Sequence, residues 1–449
     1  MNSSTDFDVH ATSAALDKDM RFHVLGLGPV GQLFAFHLRR SIPVQHDITL
    51  MFKTIPLAKR MRNQPLHIEY QGVVSSMDGF ETEATLAGVY DLRKREEEIR
   101  VSSALSRASR NTLLLPSRDA RRAVEIPWEE EDVASRGGGP IESLIVACKA
   151  QSTMSAIKQV EHRLSPESTI VLLQNGNLGV HDQLIKNIFT QEETRPHFIL
   201  ASNTHGVWLK RAPFHVVHAG VGQIRFGIIP DGKRDFEKNY YEAEEVNRGQ
   251  KNGRARLTLD DIAKTTDDPE LPRYRSLRNT VAALQGLTDL QASWVSFEKL
   301  EIILRQKLAV NCVINPLTAI LGCKNGDLYE APAANRLTAR ICHEAAEVFR
   351  REVIANAVQN VKPTNVDIPP ELTAPSLIAE CKRVARLTAG NTSSMLADLK
   401  KGTKATEIEY LNGYLLNLAK QYRCMTPVNA SMVDLVKMRT MIPFDSTVA

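Results

Sequence analysis

Between residues 21 and 228 short apolar runs alternate with stretches whose apolar positions recur at helical spacing. Phe22–Leu25, Asp47–Phe52, 143–148 (SLIVAC), 168–173 (STIVLL) and 198–203 (FILASN) read as strands. QLFAFHLRR follows the first strand and places Leu33, Phe34 and Leu38 on one stripe. Strands that alternate with helices build a parallel α/β sheet. From about 276 to 449 the pattern is helical throughout. Two polar stretches interrupt it. One, at about 75–140, carries the charged runs Arg93–Arg100 and Glu129–Asp132 and ends on Gly137, Gly138 and Gly139. The other covers about 230–275. Both read as insertions, the first partly disordered, and residues 1–20 read as a disordered polar tail. The predicted layout is therefore a nucleotide-binding-type domain over 21–275 and an all-helical domain over 276–449.

Composition narrows the function classes. The chain has 449 residues, enough for two or three domains, and its 43% hydrophobic and 24% charged residues exclude wholesale disorder. The net charge of +4 is too small to imply nucleic acid. The longest uncharged apolar stretch, Leu308–Cys323, contains Asn311, Asn315 and Pro316 and is short for a membrane span. The first twenty residues hold four Asp and one Lys, which argues against secretory and mitochondrial leaders. None of the six cysteines forms a C-x-x-C pair, and the 12 histidines show no metal spacing, so no metal is expected.

The sharpest motif is FHVLGLGPVG at 22–31. Strand Phe22–Leu25 runs into Gly26, Leu27, Gly28, Pro29, Val30 and Gly31, and a helix follows. This is G-x-G-x-x-G in the strand–turn–helix context that a dinucleotide needs. Gly26 permits the turn, Gly28 lets the backbone approach a pyrophosphate, and Gly31 lets helix and strand pack. The helix N-terminus offers unpaired N–H groups to the anion. The second strand ends at Lys53 rather than at an acidic residue, and Lys59 and Arg60 follow. A cation there suits a 2′-phosphate and favours NADP over NAD.

In KLEIILRQKLAVNCVIN (299–315), Lys307, Asn311 and Asn315 share one helical row. Position alone suits either a functional or a snorkelling lysine. Asn315 precedes Pro316, so it either continues the row, ends the helix or caps the next one. Near the C-terminus, NTSSML at 391–396 begins one segment, and TEIEYLNG at 406–413 opens a helix with Ile408, Leu411, Leu415 and Leu418 as its stripe. Glu407 then lies near that helix's N-terminus, where capping alone explains a carboxylate.

Taken together, these segments resemble the ketopantoate reductase (2-dehydropantoate 2-reductase) family, in an expanded, fungal-type form. The matching stretches are GLGPVGQL at 26–33, VACKA at 146–150, LLQNGNLG at 172–179, NTHG at 203–206, KLAVNCVINPLTAILGCKNGDL at 307–328, SSMLADL at 393–399 and TEIEYLNGYLL at 406–416. The two polar insertions fall outside the resemblance. It implies a Rossmann-type domain, then an all-α domain like the C-terminal part of 6-phosphogluconate dehydrogenase. It implies NADPH as cofactor and a small 2-keto acid as substrate, with Lys307 as general acid and Glu407 beside the reacting oxygen. Asn311, Asn315 and Ser394 match substrate-binding residues, and Lys149 and Asn175 match residues at the cofactor–substrate junction. One departure is that Ser394 and Glu407 lie 13 positions apart, one more than in the family, with the extra residue in the loop 400–405. An unperturbed lysine, with a pKa of about 10.4, is charged at pH 7 and suits proton donation to a developing alkoxide. His205, within NTHG, is expected to be structural. A reductase of the same fold for another 2-keto acid, or a non-catalytic regulatory protein that kept the fold, stay as alternatives. The expected state is a monomer or homodimer in the cytoplasm, with a mitochondrial location left open.

Overall fold

The computed structural model describes residues 20–85, 139–210, 214–247, 255–359 and 366–442. Residues 1–19 of the tail expected at 1–20, residues 86–138 of the first expected insertion and residues 248–254 of the second lie outside them.

Twelve strands are described: β1 (Arg21–Leu25), β2 (Asp47–Phe52), β3 (Leu66–Tyr70), β4 (Val73–Met77), β5 (Glu81–Ala84), β6 (Ser143–Val146), β7 (Thr169–Leu172), β8 (His197–Asn203), β9 (Gly206–Leu209), β10 (His215–Gly220), β11 (Ile224–Ile228) and β12 (Ala292–Trp294). Eight of them form one sheet in the order β12-β11-β8-β7-β6-β1-β2-β5. It is parallel from β5 to β8, and β11 runs antiparallel to β8. All four residues of β6 and of β7 are buried, as expected of strands covered on both faces. Along β1, Phe22 and Val24 enter one core and Leu25 the other.

The helices of this part are α1 (Pro29–Ser41), α2 (Ile55–Met61), α3 (Ala150–Lys158), α4 (Asn177–Asn187), α5 (Lys238–Asn247), α6 (Leu259–Ile262) and α7 (Leu271–Gln285). Leu33, Phe34 and Leu38 of α1 are buried as predicted, in the same core as Leu277, Val281 and Leu284 of α7. On the other face Ile157 of α3 and Val180 and Leu184 of α4 pack with Leu144, Val146, Ile170 and Leu172. The remaining four strands make a second sheet, β4-β3-β10-β9, whose Leu66, Ile68 and Val216 join the α1 core.

Three expected boundaries shift. The first insertion was expected from about 75, yet β4 and β5 occupy 73–77 and 81–84. β5 is an edge strand of four residues, and its Glu83 is buried only because Arg163 pairs with it at 2.6 Å. A strand held by an ion pair leaves no apolar alternation to read. The second expected insertion, 230–275, holds α5, α6 and the start of α7, and it buries Phe236, Ile262, Ala263 and Tyr274 in the sheet core. The expected boundary at 275/276 therefore cuts α7, and β12 extends the sheet beyond it. A three-residue strand is too short to show a period.

The helical part starts with α8 (Phe297–Leu321) and continues with α9 (Pro332–Gln359), α10 (Ala374–Leu387), α11 (Ser394–Lys400), α12 (Asn412–Gln421) and α13 (Pro427–Met441). α8 runs through its centre, and Leu308, Cys312, Val313 and Leu317 pack against Ile341, Phe349, Leu377, Leu415 and Val433. Buried Arg305 is matched by Glu352 at 2.9 Å, which satisfies a charge that would otherwise be costly in this core.

Candidate active site

The strand order reverses between β1 and β6, and ligands of open α/β sheets bind beyond the carboxyl ends of the strands at such a point. The glycine turn follows β1, Lys53 follows β2, Lys149 follows β6, and Asn175 follows β7. The glycines behave as their spacing predicts. Gly26 has φ +98°, and a Cβ there would lie 2.4 Å from the Cys148 nitrogen. A Cβ on Gly31 would lie 2.0 Å from the Gly26 oxygen. A Cβ on Gly28 would meet nothing within 4 Å, so the space over this residue is open. Gly28 is the N-cap of α1 and no side chain caps the helix, which leaves first-turn N–H groups of Val30 and Gly31 for an anion. Leu27, Pro29 and Val30 are half-buried around the turn. Exposed Lys53 is close enough for its charge to act on the Cys148 thiol, which burial nonetheless pushes up to about 11. An open backbone cradle with free N–H donors and a flanking cation fits a phosphorylated dinucleotide.

A cleft of about 290 Å³ lies between this sheet end and α8, with Lys307, Asn311, Leu304 and Leu308 on one wall and Gln174, Asn175 and Gly176 on the other. Lys307 is half-buried, and its Nζ donates to the Asn203 carbonyl at 2.7 Å. Burial pushes its pKa down to about 8, and the Glu407 carboxylate works in the opposite direction. The unperturbed value expected from sequence is thus lowered because the ammonium has lost its water.

Glu407 does not cap its own helix. It opens a 3₁₀ turn, Glu407–Tyr410, ahead of α12. Its carboxylate reaches across to the other domain, where Oε1 accepts from the Ala150 N–H at the start of α3 at 3.4 Å, and the Asn175 side chain also donates to it. Burial raises its pKa, opposed by the positive charge of Lys149. Lys149 pairs with Asp398 at 3.0 Å, so residues of α11 and of the β6–α3 turn also meet across the domains.

The structure gathers Lys307, Asn311 and Asn175 in the cleft, with Glu407 beside them. Asn315 is buried one turn beyond Asn311, and α8 continues through Pro316 instead of ending there. Ser394 is the half-buried first residue of α11. Its neighbour Ser393 is the cap, accepting from the Leu396 N–H at 3.2 Å and from Thr318 Oγ1 at 2.7 Å. Neither Ser394 nor Asn315 lines the cleft. Three contributors were not singled out from sequence: the Asn203 carbonyl, Gln174 and Asp398. Each lies inside a matching stretch, but only folding shows which atoms point inward. His205 is structural, as expected: its Nδ1 accepts from Gly222 N–H and meets His218 Nε2 at 3.0 Å, and its Nε2 lies 3.0 Å from the Leu290 carbonyl.

Two sequence models of one family match this chain: "Ketopantoate reductase PanE/ApbA" over residues 95–231 and "Ketopantoate reductase PanE/ApbA C terminal" over 300–440. Together they span well over half of its length. The chain belongs to the ketopantoate reductase family. Among curated ketopantoate reductases, 2-dehydropantoate 2-reductase of Yersinia pestis is 29% identical over 296 residues, covering 66% of this chain and 73% of the relative. The Saccharomyces cerevisiae 2-dehydropantoate 2-reductase is 25% identical over 311 residues, covering 67% and 74%. The fold is shared with a D-mandelate dehydrogenase solved with NADH and anilino(oxo)acetate, at TM-score 0.58 and 16% identity over 94% of this chain and 98% of that one. It is also shared with a ketopantoate reductase of Ralstonia eutropha, at TM-score 0.57 and 16% identity over 94% and 99%. Among the described residues no helix is long and apolar enough to cross a membrane, and no group of three or more metal-binding side chains occurs.

Proposed function

We propose that this chain reduces 2-dehydropantoate to pantoate with NADPH, as the curated relatives' names indicate for them. The observation that carries the reading is a lysine in the cleft between α8 and the end of the sheet, with the buried Glu407 carboxylate near enough to act on its charge. Gly26, Gly28 and Gly31 would seat the dinucleotide, with Leu27, Pro29 and Val30 shaping the turn. Lys53 would face the 2′-phosphate, and no acidic residue stands at the end of β2 to prefer a free ribose hydroxyl. Bound there, the reduced nicotinamide supplies a hydride to the ketone carbon.

The rest falls to the chain's own residues. Charge develops on the ketone oxygen, and the Lys307 ammonium stabilises it and delivers the proton. The Asn203 carbonyl fixes the direction of Nζ before substrate arrives. Glu407 keeps Lys307 more basic than burial alone would, so that it is charged near neutrality. Asn311 would donate to the substrate from the cleft wall, and Asn315 and Ser394 are assigned to the carboxylate end, which requires the domains to adjust around the ligand. Lys149 and Asn175, through Asp398 and Glu407, would set the cofactor against the substrate. Residues 21–295 form the cofactor domain in this reading and 297–442 the substrate domain.

The test is turnover of NADPH with ketopantoate by purified protein and by Lys307→Ala. Turnover by the parent that collapses in the variant supports the assignment. Cofactor binding without turnover would discard ketopantoate as substrate.

A further inference from the structure

Pro316 sits inside α8, nine residues beyond Lys307 and next to Asn315. A proline has no N–H, so the carbonyl four residues earlier loses its helical donor, and the ring pushes that carbonyl outward. Here the orphaned carbonyl is that of Cys312, between Asn311 and Asn315 and buried in the helical core. Helices usually kink at such a point.

The carbonyl is not left open. Asn412 Nδ2 donates to the Cys312 oxygen at 3.0 Å. Asn412 is fully buried, and the same Nδ2 donates to Asn429 Oδ1 at 3.0 Å. The orientation of both amides is fixed by the chain of contacts. Asn429 Nδ2 donates to the Glu344 carboxylate at 2.7 Å, so its oxygen must face Asn412. Asn412 must then present its nitrogen to two acceptors. Glu344 is itself anchored by the N–H groups of Val428 and Asn429 at 2.8 and 2.9 Å, at the start of α13. The Oδ1 of Asn412 has no partner among the described residues. A buried amide with an idle acceptor is costly, so the gain from this residue lies in what it donates.

Asn412 also opens α12 directly after the turn that carries Glu407. We propose that Asn412 is a positioning residue of the site: by taking the place of the missing proline N–H at the Cys312 carbonyl, it holds the Lys307–Asn311–Asn315 row in place and ties the Glu407 turn to it. The catalytic part rests on the reductase reading. The bridge itself does not.

A double-mutant cycle decides it, because Pro316→Ala restores the N–H that Asn412 replaces. Asn412→Leu is expected to lower kcat/KM for ketopantoate about tenfold or more, through a buried acceptor left unpaired, while NADPH affinity stays within about twofold. Pro316→Ala alone stays near the parent. In the double variant the restored backbone N–H at position 316 reaches the Cys312 carbonyl, and most of the lost kcat/KM returns. A double variant as impaired as Asn412→Leu would overturn the proposal, as would an Asn412→Leu protein with unchanged kcat/KM. If Asn412→Leu does not fold, Asn412→Ser replaces it in the same cycle. If the parent turns over no ketopantoate, the reductase reading fails, and hydrogen exchange of the amides over 308–321 in the four proteins still decides the bridge. Faster exchange in the Asn412 variant that Pro316→Ala suppresses supports it, and equal exchange in all four refutes it.

Discussion

The Glu407 carboxylate acts on the charge of Lys307, and this coupling can be read from pH profiles. Burial brings Lys307 down from 10.5 to about 8, and the Glu407 carboxylate opposes the fall. A group with a pKa of about 8 is roughly nine-tenths protonated at pH 7. If its ammonium is the acid, kcat/KM is flat just below about pH 8 and drops about tenfold per unit above it, because kcat/KM reports the free enzyme. Glu407→Gln keeps the size of the side chain and removes the anion. Without that carboxylate nothing named offsets the desolvation of the ammonium, so the alkaline limb should move to lower pH. One unit corresponds to about 1.4 kcal/mol of lost stabilisation of the ammonium. The assay is the initial rate of NADPH loss at several ketopantoate concentrations, from about pH 6 to about pH 10, for both proteins. An alkaline limb that stays in place in Glu407→Gln, or moves up, would refute the coupling and with it the role of Lys307 as the acid.

The glycine turn makes a paired prediction: Gly28→Ala should leave thermal stability unchanged and weaken NADPH binding by about tenfold, because its Cβ meets only open space, which the pyrophosphate would occupy in the proposed complex. Gly31→Ala, with its Cβ against the Gly26 oxygen, should lower both stability and binding in a melting scan and a fluorescence titration. Lys53→Glu should reverse the preference for NADPH over NADH by about tenfold or more in relative kcat/KM, and equal loss with both cofactors would remove Lys53 from the 2′-phosphate site. Arg163→Met should destabilise by about 3–5 kcal/mol in denaturant titrations, since it strands the buried Glu83 carboxylate. Burial already raises the Glu83 pKa, so in the variant the folded state takes up the proton more readily than the unfolded chain. The deficit should therefore shrink as pH falls and Glu83 is neutralised.

The parallel strands and the glycine turn were legible in the sequence because their causes are local. β2 spans the six residues that its apolar pattern predicts, and the strand–turn–helix at 21–41 needs only neighbours in the chain to specify it. The row of Lys307 and Asn311 follows from helical geometry alone. What escaped depends on partners far away in sequence. β5 is a strand because β2 lies beside it and Arg163 neutralises Glu83. Residues 230–275 read as an insertion because their few apolar side chains are spread thinly, yet Phe236, Ile262 and Tyr274 all reach the same core. Glu407 reads as a cap for the helix that follows, and the tertiary structure turns it towards α3 instead, because Ala150 N–H and Asn175 lie there. At Pro316 the sequence left open whether the helix continues or ends; it continues, and Asn412, about a hundred residues on, supplies the donor that proline lacks. Local sequence determined the elements with a clear apolar period, the glycine turn and the shared row of Lys307 and Asn311. Charge, desolvation and hydrogen-bond completion are long-range properties, so only the folded chain decided that the lysine is desolvated, which carboxylate tunes it, and which side chain serves the carbonyl that Pro316 leaves without a donor.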